Sequence, residues 1–192
     1  MEKDRLLAFS DGVIAIIITI MVLELQPPHA PTLAALLHVA PIFLSYVLSF
    51  AYVAIYWNNH HHMMHTVERV NGAILWANMH LLFWLSLVPF ATAWVGETHG
   101  AKLPVLVYGA SLLLPGVAYY ILQTIIFGAH GTDHLLARAL GDDWKGKLSP
   151  WLYIAGIGLA FVDPRYGLAT YVLVALIWLV PDRRIERIVA GN

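Results

Sequence analysis

Residues 5–25, RLLAFSDGVIAIIITIMVLEL, form an apolar run long enough to cross a bilayer, yet they carry a carboxylate, Asp11, in their early turns. An ionised side chain near the bilayer centre costs ~2.5–3.5 kcal/mol even on the lenient insertion scale, so an acid in such a run implies a partner and a purpose. Arg5 lies six residues away on another face of the same straight helix and is a poor direct partner. Trp57, Asn58 and His60, at the end of the second apolar run, reach the same depth by topology. An indole N–H, an amide and an imidazole can each donate to a carboxylate. Such a cluster can lock two helices together, relay a proton or hold an ion. The residues alone leave these roles open.

Histidine is the second candidate for chemistry. His60, His61, His62 and His65 are expected in one loop, and His130 and His134 in the next loop on the same side. His61/His65 and His130/His134 are four residues apart, a spacing that brings two imidazoles to one metal if the segments are helical. Membrane di-iron hydroxylases and desaturases use histidine boxes of this kind, though with about eight ligands rather than six. A metalloenzyme acting on a lipid-like substrate is therefore one reading; a partly solvated interfacial loop is the other.

The elements that must position these residues follow from composition. The chain has 192 residues, 59% of them hydrophobic and 12% charged, and its mean hydropathy is +0.69. Soluble domains carry about 25% charged residues, so little of this surface can face water, and an all-α integral membrane protein is expected. The net charge of −1 provides no basic patch for nucleic acid. With no cysteine, disulfides, thiolate chemistry and cysteine-based zinc sites are excluded. The apolar run from Leu6 is too long for a cleavable signal and lacks a small-residue cleavage site.

Bilayer spans need about 20 apolar residues, and the hydropathy pattern places six, at about 5–25, 33–57, 70–95, 103–127, 148–163 and 165–181, in one domain over 1–192. The last two are separated at Asp163-Pro164-Arg165, which would be costly in mid-bilayer. Six spans put nine Lys and Arg on one side and two on the other; five spans would reduce this to six against four and leave Arg165 in the bilayer. By the positive-inside rule both termini are then cytoplasmic, in a multi-pass protein of the plasma membrane. Walker, dinucleotide and nucleophile-elbow motifs are absent, as are a TVGYG filter and an arginine-rich voltage-sensing helix.

At 100° per residue, Phe9, Gly12, Ile16, Thr19, Ile20 and Leu23 share one stripe of the first helix, with Ser10 and Asp11 pointing away from it. By periodicity alone the stripe packs on a neighbour or on lipid, and Thr19 bonds back to a carbonyl one turn earlier. Arg5, Phe9, Ser10 and Asp11 make the pattern R-x-x-x-F-S-D, and with YWNNHHHM at 56–63 and LLFWLSLVPFATAWVGE at 81–97 they resemble the lysosomal potassium channel family (the transmembrane protein 175 family) in its bacterial form. Val88 departs from the commoner Leu. The last three spans match only in length and hydropathy.

The resemblance implies a homotetrameric, K⁺-preferring channel whose pore is lined by the first helix of each subunit. It implies Ile16 as the narrowest apolar ring, Ile20 and Leu23 as rings further out, and Thr19 as a source of hydroxyl oxygens for the permeating K⁺. Arg5, Phe9, Ser10, Asp11, Trp57, Asn58 and His60 would form a structural network that holds the pore helix, with no cofactor beyond the permeant ion. Replacing Ile16 by Asn or Ala should lower the discrimination of K⁺ over Na⁺, and replacing Ile17, off the stripe's centre, should do much less. A proton-coupled transporter or a proton leak with Asp11 as carrier stays as an alternative.

Overall fold

A computed structural model describes residues 2–130 and 144–179. Among these the protein is helical with no strand: α1 (Lys3–Leu23), α2 (Leu33–His38), α3 (Ala40–His65), α4 (Gly72–Ser86), α5 (Val88–Glu97), α6 (Lys102–His130), α7 (Trp144–Val162) and α8 (Pro164–Leu179). Four helical stretches are long and apolar enough to cross a membrane: α1, α3, the joined α4–α5 and most of α6. The remaining pair is shorter. At 1.5 Å per residue the 16 residues of α8 span about 24 Å, against ~30 Å of hydrocarbon.

Local sequence explains each break. Asp4 lies in the first turn of α1, where a carboxylate complements the helix dipole, and Pro27-Pro28 follows its end. The second run does not form one helix. Its start folds as α2, capped by Thr32, whose hydroxyl accepts from the Ala35 N–H at 3.2 Å. Pro41, in the first turn of α3, lacks an N–H and so favours a fresh start there. At the other end α3 continues to His65, because no Gly or Pro interrupts WNNHHHMMH. The histidines at 60–65 therefore occupy the last turns of a helix and not a loop.

Between α4 and α5 the chain breaks at Leu87, two residues before Pro89, whose ring cannot fit behind a continuous helical turn. Asp163 separates α7 from α8 and accepts the Arg165 N–H at 2.8 Å, with Pro164 as the first helical residue. The DPR triplet is thus an N-cap followed by a proline at N1.

Two cores result. One is aliphatic and methionine-rich and joins α1, α3, α4 and the C-terminal half of α6 through Leu6, Ile14, Ile17, Met21, Met64 and Leu81. The second joins α3, α5, α6, α7 and α8 around Tyr52, Tyr108, Tyr153 and Tyr171. Its hydroxyls are paired internally: the Thr92 hydroxyl donates to Ser49 Oγ at 2.6 Å, and Ser49 and Tyr108 share a bond of 2.8 Å. The Tyr171 ring sits where Gly109 and Gly156 lack side chains, and a Cβ at either position would collide with it. Small residues let transmembrane helices approach in this way.

Candidate pore helix and its polar tether

Helix α1 packs on α3, α4 and α5 and has two unlike faces. Leu6, Ser10, Ile14, Ile17 and Met21 are buried. Arg5, Phe9, Gly12, Ile16, Thr19, Ile20 and Leu23 are exposed, with Ile16 at 58% and Leu23 at 72%. On this unpaired face the Thr19 hydroxyl donates to the Ile16 carbonyl at 2.9 Å, which leaves its oxygen lone pairs directed outward. No side chain lies within 4 Å of a Cβ built at Gly12.

Two tethers hold the opposite side. Trp57 Nε1 donates to Asp11 Oδ1 at 3.0 Å, joining α3 to α1. Asp11 is only partly buried, so the indole supplies one bond and the carboxylate keeps capacity for more. The second tether is fully buried. His60 Nε2 lies 2.7 Å from Asn78 Oδ1, the Asn78 amide donates to Ser10 Oγ at 2.9 Å, and Ser10 Oγ donates to the Leu6 carbonyl at 2.8 Å. Because Asn78 Oδ1 can only accept, His60 carries its proton on Nε2.

These contacts redraw the cluster expected around Asp11. Trp57 reaches it. His60 instead bonds to Asn78, since its side chain enters the aliphatic core, where its exposure is 0%. Asn58 is exposed on α3 and Arg5 on the first turn of α1; six residues of helix turn Arg5 well away from Asp11, and no bond joins the two among the described residues. Phe9 lies on the exposed face.

Asn78 went unnoticed in the sequence, although an amide within GAILWANMHLLFWLS is the kind of lone polar group that an apolar helix does not carry without a partner. His80 in the same run is satisfied locally, accepting the Trp84 indole N–H at 2.8 Å.

Of the two histidine pairs, His61 and His65 are in contact, with Nε2 atoms 3.1 Å apart. His134 lies outside the described residues, and His130 is the final residue of α6. Among the described residues no group of three or more metal-ligating side chains is found.

The model of the endosomal/lysosomal potassium channel TMEM175 matches residues 5–89, which run from α1 into the first turn of α5. A Chryseobacterium protein (strain P1-3) named as a potassium channel is 52% identical over the full length of both chains. A Chamaesiphon minutus protein, also named as a potassium channel, is 32% identical over 84% of this chain and 86% of its own. Human TMEM175, named as an endosomal/lysosomal proton channel, is 32% identical over 47% of this chain and 20% of the human one. The crystal structure of a lysosomal potassium-selective channel TMEM175 homolog from Chamaesiphon minutus superposes with a TM-score of 0.81 at 27% identity, covering 94% of this chain and 98% of that one. These relatives are channels and not enzymes, which removes the histidine-box hydroxylase reading. This chain belongs to the TMEM175 family.

Proposed function

We propose that four copies of this chain assemble around a central pore lined by α1 and conduct K⁺ passively in preference to Na⁺. The observation that carries this reading is the exposed stripe Phe9, Gly12, Ile16, Thr19, Ile20 and Leu23 on a helix whose opposite face is packed and hydrogen-bonded. The potassium-channel names of the bacterial relatives support it. In this reading the chain crosses the plasma membrane six times with both termini in the cytoplasm; α7 and α8 form the last two spans, and the charge asymmetry supports the orientation.

The chemistry follows from the side chains. Four Ile16 side chains at the narrowest point exclude water, so an ion must shed part of its hydration shell. K⁺ holds its water less tightly than Na⁺ and loses less on entry. Thr19 hydroxyl oxygens one turn away replace part of that water, and Ile20 and Leu23 continue the apolar lining. A hydrophobic ring of this type also closes by dewetting. The permeant K⁺ is the ligand, and no cofactor is needed. Arg5, exposed on the same side as the stripe, faces a neighbouring subunit in the tetramer, and Trp57–Asp11 fixes the tilt of α1.

The test is ion flux from purified protein in liposomes under a K⁺ gradient, with Na⁺ substituted in parallel. Ile16→Asn should conduct with reduced preference for K⁺. Absence of flux from folded tetramers would reject the channel reading. The mammalian relatives are named as proton channels, so a second arm applies a pH gradient without K⁺; dissipation of that gradient as fast as the K⁺ gradient would favour a proton leak.

A further inference from the structure

The last turns of α3 hold a constellation that ion conduction does not use. His61 and His65 stand one turn apart with Nε2 atoms converging to 3.1 Å and ring centroids 4.4 Å apart. Two nitrogens bound to one zinc at ~2.0–2.1 Å are separated by about 3.1–3.4 Å when the angle between them is roughly 100–110°. The pair already holds that separation. In the free pair a single N–H bridges the two nitrogens along the line between them. A cation sits off that line, so ligation turns both rings toward it and releases the bridging hydrogen from Nε2, which the imidazole takes up on Nδ1 by tautomer exchange through solvent. His65 is exposed and His61 half-buried, so the pair lies at the surface of α3. Imidazole suits zinc, copper and nickel, whereas magnesium and calcium prefer oxygen.

We propose that His61 and His65 form a two-point site for a late transition-metal cation of the zinc type, and that its occupancy restrains α1 and reduces conduction. The second part rests on the channel reading. The physical link is short. The His61 ring lies 5.7 Å from the Trp57 ring, and Trp57 holds Asp11 on α1. Lys3 of α1 donates from Nζ to the His65 carbonyl at 2.7 Å. A cation that immobilises the two imidazoles therefore stiffens the turns of α3 to which α1 is tied at two points. His61 Nδ1 is buried and has no hydrogen-bond partner among the described residues, so the outer-shell bond that usually orients a ligating imidazole is missing. Water fills the remaining metal positions. Binding is accordingly modest and reversible.

Equilibrium dialysis of the full-length, detergent-purified protein against Zn²⁺ should give one saturable ion per chain. His61→Ala and His65→Ala should each weaken binding by at least about tenfold, the lower end of the loss seen when only an outer-shell partner is removed. His29→Ala, in the loop that follows α1, should leave it unchanged. Gel filtration checks that each variant is folded, and His65→Gln substitutes for an alanine form that is not. Electron paramagnetic resonance with Cu²⁺ in place of Zn²⁺ should show coupling to two nitrogens in the wild type and fewer in the variants. In liposomes, Zn²⁺ should reduce K⁺ flux through the wild type but not through His65→Ala. Binding that is absent, or undiminished in both variants, overturns the site. Binding without any effect on wild-type flux overturns the restraint on α1. If the protein conducts nothing, dialysis and resonance still decide the site, and the channel reading fails separately.

Discussion

Ile16 and Ile17 are the same residue type in the same helix, and they occupy opposite worlds. Ile17 is 3% exposed and belongs to the aliphatic core; Ile16 is 58% exposed on the outward face of α1. Between them lies the boundary between a face that packs into the fold and a face that the fold leaves exposed. The buried face also carries the hydrogen-bonded Ser10, whereas the presented face carries one hydroxyl, Thr19, bonded only to its own helix. Identical hydropathy thus hides a division of labour that the position around the helix decides.

The sharpest way to break this comparison is to make one chemical change on each face. Ile17→Asn should be the most damaging substitution in α1, because it loses packing worth about 2–5 kcal/mol and buries an amide with no partner. Its measure is the yield of monodisperse protein and its melting temperature; a variant that folds like the wild type would erase the distinction. A folding loss at Ile17 would mask its small expected effect on K⁺ over Na⁺ discrimination, so exposed Ala15 is the cleaner control for the flux ratio.

Asn78→Leu should come next. It leaves the buried His60 Nε2 without a partner, at about 1–3 kcal/mol, and takes one of two bonds from Ser10, which still donates to the Leu6 carbonyl; membrane hydrogen bonds average less, ~0.6 kcal/mol. Adding Ser10→Ala to Asn78→Leu should recover part of the loss, and strict additivity in this double-mutant cycle would deny the tether. Trp57→Phe keeps the ring and removes one bond to the half-exposed Asp11, so a loss of about 1 kcal/mol or less is expected, again by thermal melting. At the bottom of the scale are Ile16→Asn and Thr19→Val. Each should change stability by no more than about 0.5 kcal/mol, as for substitutions away from packed features, while altering the K⁺ to Na⁺ flux ratio. Large unfolding with unchanged flux ratio would assign the stripe to packing.

The sequence was legible where a single helix carried the signal. Periodicity alone separated Phe9, Ile16, Ile20 and Leu23 from Ser10 and Asp11, and matching depth paired Asp11 with Trp57. It failed where the partner stood on a helix distant in the chain. His60 has an acid within reach of the same helix end, yet it turns to Asn78 on α4, because its position on α3 points into the aliphatic core. Nothing in the spacing along α3 reveals this. The breaks at Val39 and Leu87 were written in Pro41 and Pro89, and a hydropathy window smooths such residues away. The extension of α3 through the histidines was legible in principle, as that stretch contains no helix breaker.

The glycine slot around Tyr171 has a mechanical meaning. A ring keyed between Gly109 on α6 and Gly156 on α7 leaves α6, α7 and α8 little freedom to slide, since any sliding drives the ring into backbone. By contrast α1 rests mainly on α3, α4 and α5, across a smooth aliphatic surface pinned at a few polar points. The fold thus pairs a keyed block with a helix held at points: α6, α7 and α8 are locked against sliding, and α1 is bolted to α3 at Asp11 and Lys3 and to α4 at Ser10, so its angle is the one that a few polar bonds set.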